Sequence, residues 1–207
     1  MFALIILNAL LPPKSKYQYF LEQADLILCA DGGGNRALEA GIDPDYVIGD
    51  LDSVTMQTRE RLPKERFIHK PSQFATDLEK TLQFALGKQV TTITVIGLIG
   101  DRLDHQICNL NILEKFSDRL SITTVDDFGS GNFVNDTYRF SGEIGQQVSI
   151  FAFRKAEGII VRGLKYPLEN GTMEWAVNDG LSNEIVSNPV EIKVEKGTLF
   201  VYNVWPG

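Results

Sequence analysis

Tyr46-Val47-Ile48-Gly49-Asp50-Leu51-Asp52-Ser53 ends a short apolar run on an acidic turn. A run of that length bounded by turn formers predicts a buried strand, and here its carboxyl end carries two carboxylates. The same grammar recurs through the first half of the chain. Leu26 to Ala30 ends on Asp31-Gly32-Gly33-Gly34, and Phe67 to His69 is followed by Thr76-Asp77-Leu78-Glu79-Lys80. Thr92 to Leu98 runs into Gly100-Asp101-Arg102-Leu103-Asp104-His105. With Ala3 to Asn8 and Leu120 to Val125 as further strands and amphipathic stretches between them, the pattern predicts an open, mainly parallel sheet with flanking helices. Such sheets bind ligands beyond the carboxyl ends of their strands, where Asp31, Asp50, Asp77 and Asp104 all fall.

Two helices follow from the 3.6-residue period. Thr76 to Leu86 sets Leu78, Leu82, Ala85 and Leu86 on one face, with Thr76 and Glu79 at capping-box spacing. Leu103 to Phe116 carries Leu103, Ile107, Leu110 and Leu113 along an apolar stripe, with Asp104, His105 and Asn109 in another sector. Asn35 to Ala40 is a shorter helix candidate. After Asp126 the rhythm changes to short alternating strands at Gln147 to Phe153, Gly158 to Arg162, Val190 to Val194 and Thr198 to Val204, the signature of an all-β sandwich. The turn formers of Asp126 to Asn132 mark the boundary, giving an α/β domain over 1–126 and a β-sandwich over 127–207. Glu195-Lys196-Gly197 reads as the tip of a closing hairpin.

The 207 residues carry a net charge of −7, which argues against a nucleic-acid partner, since phosphate-backbone binding needs clustered Lys and Arg. No run is long and apolar enough to span a membrane. The opening Met1 to Leu7 lacks the basic start and small-residue cleavage pattern of a signal peptide and is expected to be a strand. Cys29 and Cys108 give no disulfide framework; both are expected to be small buried hydrophobes in a reducing cytoplasm.

Carboxylates gathered at strand ends repel one another by roughly 4 kcal/mol per pair at about 4 Å and an effective dielectric near 20. A divalent cation resolves that conflict, and hard oxygen ligands without a His or Cys cluster point to Mg²⁺ bridging carboxylates and a polyphosphate. Were the backbone extended through Leu51, Asp50 and Asp52 would point the same way and share one cation; an acidic turn with Ser53 as a helix cap explains the segment equally. Gly32 and Gly33 bring N–H groups against a phosphate or simply make a tight strand-to-helix turn. Asp77 and Lys80 are a ligand and its neighbour or an ordinary capping pair. Arg102 offers a planar fork for phosphate oxygens. His105 titrates near neutrality or is structural.

Taken with Gln73, Asn109, Gly163-Leu164-Lys165-Tyr166-Pro167-Leu168 and Gly180-Leu181-Ser182-Asn183-Glu184, these motifs resemble the thiamine pyrophosphokinase family over nearly the whole chain, in order. The resemblance implies an α/β catalytic domain, a C-terminal β-sandwich and a homodimer with each active site between the α/β domain of one chain and the sandwich of the other. The implied reaction is ATP plus thiamine giving thiamine diphosphate plus AMP. It implies Mg²⁺ on Asp50, Asp52 and Asp77; ATP at Asp31, Gly32, Gly33, Gln73, Thr76, Lys80, Arg102, His105 and Asn109; thiamine at Ser182 and Asn183; and catalytic roles for Asp50, Asp52, Asp77, Arg102 and Asp104. One departure is Gly100-Asp101-Arg102, where the family usually has Gly-Gly-Arg, and it adds a negative charge beside the expected triphosphate.

Two other readings compete. Asp50-Leu51-Asp52-Ser53-Val54 also fits the DxDx[TV] pattern of haloacid-dehalogenase-type phosphatases, but their nucleophilic Asp follows the first strand and Asp50 follows the third. A non-catalytic nucleotide or thiamine sensor is the rival of another class.

Overall fold

Apolar runs without alternation bury both faces of a strand, and that requirement organises the first half of the chain. The computed structural model describes residues 1–100 and 102–206. It divides into two units, Met1–Asp127 and a second beginning at Phe128. In the first unit the order is β1 (Phe2–Ile6), α1 (Lys14–Gln23), β2 (Leu26–Ala30), α2 (Gly33–Glu39), β3 (Tyr46–Gly49), α3 (Met56–Arg61), β4 (Phe67–His69), α4 (Asp77–Gly87), β5 (Thr92–Ile96), α5 (Leu103–Phe116) and β6 (Ser121–Val125). Its strands lie in the order β6-β5-β1-β2-β3-β4, and every pairing is parallel. Leu4, Ile5, Ile6, Leu28, Ile48, Ile93 and Ile96 are fully buried, each such side chain contributing roughly 1.5–3 kcal/mol.

The expected helices at α2, α4 and α5 are present. Thr76 caps α4 by accepting from the Glu79 amide at 3.3 Å, while the Glu79 carboxylate turns to Lys115 at 2.6 Å instead of closing the capping box. Leu78, Leu82 and Ala85 are buried as the period requires. The α5 stripe behaves otherwise. Leu113 is buried with Ile112 and Phe116, but Leu103 and Ile107 are 67% and 58% exposed. The helix is anchored through its second half, and periodicity reports an apolar face without reporting what covers it. Cys29 is buried, and burial pushes its thiol pKa up, whereas Cys108 is exposed on α5, contrary to expectation. Both thiols are free.

The second unit contains β7 (Gly129–Val134), β8 (Thr137–Phe140), β9 (Gln147–Phe151), β10 (Lys155–Arg162), β11 (Leu168–Glu174), β12 (Gly180–Glu184), β13 (Val190–Lys193) and β14 (Leu199–Val204). Antiparallel pairing groups them as β12-β9-β14-β7 and β11-β10-β13-β8. Val148, Ile150, Val161, Ile192 and Val201, drawn from both groups, share one core, the arrangement of a β-sandwich. Two expectations are corrected here. The turn formers Gly129 to Asn132 are not linker but strand, paired with β14 along its length. The Glu195 to Gly197 turn does not close a hairpin, because β13 pairs with β10 and β8 while β14 pairs with β7 and β9. It carries the chain from one sheet to the facing one, and alternation looks the same in either case.

No helix among the described residues is long and apolar enough to cross a membrane.

Gly33 fixes how closely α2 approaches β1: a Cβ there would sit 2.2 Å from the Ile6 carbonyl oxygen. Backbone cannot swing aside as a side chain does. Gly33→Ala should lower stability by about 3 kcal/mol in urea unfolding. Gly87→Ala, whose new Cβ meets nothing within 4 Å at the end of α4, should gain up to about 1 kcal/mol from helix propensity.

Candidate active site

Three strands of the parallel sheet end beside one another, and the residues that follow them carry the site. Asp31 follows β2 with its backbone in the left-handed region at φ 45°, its amide donating to the Ile48 carbonyl at 2.8 Å. Asp50 follows β3, and Asp77 opens α4 after β4. Asp31, Asp50 and Asp77 each bring a carboxylate oxygen within 4.8 Å of the others. Gly49 makes that convergence possible. A Cβ there would lie 2.9 Å from both the Asp31 Cβ and the Asp77 Oδ1.

The three carboxylates are held differently. Asp31 is 5% exposed, and its Oδ1 finds no hydrogen-bond partner among the described residues. Its Oδ2 accepts from the Ser53 amide at 3.3 Å. Burial, reinforced by the charge of Asp77, raises its pKa against the lowering effect of the Ser53 and Gly32 hydrogen bonds. Asp50 is held below the usual carboxylate range, first by the Gln73 side-chain amide, which donates to Oδ2 at 3.2 Å, then by the Asp52 amide. Asp77 Oδ1 accepts from Lys80 Nζ at 2.9 Å, and that ammonium is itself buried. An unpartnered buried carboxylate oxygen beside two further carboxylates is an all-oxygen donor set, the kind a hard divalent cation takes.

The extended conformation expected for Asp50-Leu51-Asp52 does not occur. Leu51 has φ 67°, which breaks the two-residue alternation that would aim Asp52 alongside Asp50. Leu51 is buried, and Asp52 is exposed with its Oδ1 accepting from the Ser53 hydroxyl at 2.9 Å. Thr55, not Ser53, caps the following helix α3. Asp31 therefore joins the cluster in the position expected for Asp52. Gln73 and Lys80, read as nucleotide contacts, are the side chains that clasp Asp50 and Asp77. Thr76 caps α4. Gly32 and Gly33 are buried where α2 starts against β1.

Arg102 and Asp104 lie at the start of α5 and form a two-point fork, Nε to Oδ1 at 3.1 Å and Nη2 to Oδ2 at 2.5 Å. That fork holds the Asp104 carboxyl below its ordinary range. His105 is exposed and Asn109 half-buried on the same helix. Asp101 lies outside the described residues.

In the second unit Ser182 is exposed, with φ 55°. Asn183 is buried and wholly engaged with backbone: it donates to the Tyr166 carbonyl at 2.9 Å and accepts from the Tyr166 and Glu184 amides. Its side chain shapes the segment instead of facing solvent. Close by in sequence, Phe151, Ala152 and Trp175 to Asp179 line a hollow of about 440 Å³. Trp175 stacks on Phe153 at 5.7 Å yet stays 60% exposed. Sequence reasoning passed over Asn35 and Arg59, both of which bond the loop that follows Asp50. An Asn after a glycine run and an Arg on a polar helix face carry no periodic signal.

Comparison with known proteins fits this geometry. The family model described as thiamin pyrophosphokinase, catalytic domain, matches residues 17–124. The model described as thiamin pyrophosphokinase, vitamin B1 binding domain, matches residues 137–199. The thiamine pyrophosphokinase of Bacillus subtilis is 28% identical over 193 residues, 88% of each chain. Thiamin pyrophosphokinase 1 of Caenorhabditis elegans is 30% identical over 173 residues, covering 76% of this chain and 69% of that one. The crystal structure of the Bacillus subtilis protein superposes with a TM-score of 0.83 at 26% identity, covering 99% of both chains.

The raised pKa of Asp31 has a definite consequence for stability. From the ordinary value of 3.8 upward to the folded pKa, the native state binds the extra proton, so stability falls as pH rises through that window. Asp31→Asn removes the buried charge. It should stabilise the protein by about 1 kcal/mol near neutral pH, with the gain vanishing below the ordinary carboxylate range, as read from urea midpoints across pH.

Proposed function

The chain belongs to the thiamin pyrophosphokinase family, and from that premise we propose that it transfers the pyrophosphoryl group of ATP to the primary hydroxyl of thiamine, giving thiamine diphosphate and AMP. The observation that carries the reading is the convergence of Asp31, Asp50 and Asp77 around the space left by Gly49. Asp50 and Asp77, with Asp31 in place of Asp52, would hold Mg²⁺. Bound there, the ion would neutralise phosphate oxygens and draw electron density from the phosphorus under attack.

The protein's own work is positioning and charge placement, because phosphoryl-type transfers leave little covalent chemistry to side chains. Gln73 holds Asp50 ionised and aimed, and Lys80 clasps the Asp77 carboxylate. Arg102 supplies a planar cation for the transferring group, and Asp104 holds its guanidinium in plane until substrate competes for it. The hydroxyl proton passes to Asp77 or Asp104. His105 and Asn109, on the α5 face next to Arg102 in sequence, are assigned to the nucleotide with Gly32, Gly33 and Thr76.

For thiamine, the exposed face of Trp175 and the carboxylate of Asp179 in one hollow suit an aromatic cation. Ser182, exposed on β12, is assigned to thiamine as well, and Asn183 holds that strand in place through the Tyr166 backbone. We assign a homodimer in which the sandwich of one copy completes the α/β site of the other. Large apolar side chains left exposed in each unit support it: Leu103 and Ile107 in the first, Trp175, Val177 and Leu181 in the second. Two free thiols fit a cytoplasmic home.

Incubation with ATP, Mg²⁺ and thiamine should release AMP, whereas simple phosphorylation would release ADP. Excess chelator should abolish the reaction. A phosphatase would instead trap a phosphoaspartate at Asp50 and need no thiamine, and a sensor would bind both ligands without turnover. Asp50→Asn and Asp77→Asn should each lower kcat by about 10²- to 10³-fold, with the thermal midpoint near wild type for Asp50→Asn and lowered for Asp77→Asn, which takes the counter-charge from the buried Lys80 ammonium.

A further inference from the structure

The loop from Asp50 to Thr55 separates its polar groups by direction. Two of its N–H groups face the carboxylates: the Asp52 amide donates to Asp50 Oδ1 at 3.3 Å and the Ser53 amide to Asp31 Oδ2 at 3.3 Å. Its carbonyls are taken up elsewhere. Arg59 Nη2 on α3 donates to the Leu51 carbonyl, and Asn35 Nδ2 on α2 donates to the Ser53 carbonyl at 2.8 Å. The Asn35 Oδ1 in turn accepts from the Thr55 amide at 3.1 Å, the Thr55 hydroxyl at 3.2 Å and the Thr58 hydroxyl at 2.7 Å. Leu51 and Val54 are buried as apolar anchors.

A peptide unit presents its C=O and the next residue's N–H on opposite sides, so holding the Leu51 carbonyl fixes where the Asp52 amide points, while holding the Ser53 carbonyl fixes the Ser53–Val54 unit that follows. Leu51 in the left-handed region carries strain of order 1–3 kcal/mol, and an unrestrained loop would relax it. Relaxation would swing both amides away from Asp31 and Asp50.

We propose that Arg59 is a positioning residue for the reaction: by holding the Leu51 carbonyl on the outer side of the loop it aims the Asp52 amide of the same peptide unit at Asp50, while Asn35 anchors the far end of the loop at Ser53 and Thr55, and so sets the carboxylate geometry that turnover requires. The proposal rests on the pyrophosphotransferase reading for its kinetic arm alone. Neither residue touches the carboxylates directly; each acts through the loop.

Arg59→Ala removes the donor to the Leu51 carbonyl and leaves the carboxylates themselves untouched. Its kcat should fall between about ten- and a hundredfold with the KM for thiamine unchanged. The thermal midpoint should remain close to wild type, and hydrogen exchange at the Asp52 amide should quicken about tenfold or more. Arg59→Lys, which keeps a cationic donor on α3, should recover part of the loss. Wild-type kcat in Arg59→Ala, or a loss of activity that only tracks the folded fraction while the Asp52 amide stays protected, overturns the proposal. If the wild-type chain releases no AMP from ATP and thiamine, the functional reading fails, and amide exchange in Arg59→Ala alone decides the matter.

Discussion

Mutual repulsion among Asp31, Asp50 and Asp77 is the constraint around which the α/β unit is built. Three carboxylates with oxygens inside 4.8 Å do not stay together unless the scaffold prevents their dispersal, given roughly 4 kcal/mol of repulsion per close pair at an effective dielectric near 20. Two parallel strands buried at their carboxyl ends supply that rigidity, since Leu28 and Ile48 lock β2 and β3 into the core. Asp31 and Leu51, both left-handed without being glycine, are the backbone outliers on either side of the cluster. Such outliers persist only where the surroundings over-determine them, and here they mark the segment whose geometry matters for chemistry.

The two units take different tasks by virtue of their own construction. The parallel unit ends its strands on one side, which suits a polyphosphate and a cation at the carboxyl ends. The sandwich has no such edge and carries an aromatic cluster instead, with Phe133, Phe153 and Phe200 in mutual contact and Trp175 stacked on Phe153. Asn183 ties β12 to the Tyr166 segment, so its side chain is spent on backbone.

Sequence alone revealed the parallel order of elements and the change to a sandwich, because buried strands and amphipathic helices leave periods of two and 3.6. It missed α1, whose Lys14 to Gln23 buries only Tyr17, and β11 and β12, whose polar residues and glycine-containing segments carry little alternation. Asp31, Asp50 and Asp77 were legible as acids after strands. That Asp31 and not Asp52 would complete the cluster was not, since it depends on one dihedral at Leu51. Asn35 and Arg59 were invisible for a related reason: their partners are backbone carbonyls, which every residue possesses, so the pairing has no sequence signature.

The position of the cluster within the sheet also follows from packing. Open α/β sheets commonly bind at the point where strand order reverses, which here lies between β1 and β5. That crevice is closed by backbone. The Leu7 amide donates to the Ile96 carbonyl at 3.0 Å, extending the β1–β5 ladder past the strand ends, and α2 starts directly over the Ile6 carbonyl because Gly33 has no side chain. Two strands from β1, at the end of β3, the same absence at Gly49 has the opposite effect. No backbone fills the space it leaves; the Asp31 Cβ and the Asp77 carboxylate occupy its rim. Two glycines, one opening α2 and one ending β3, thus let backbone close the crevice in the first place and carboxylates converge in the second.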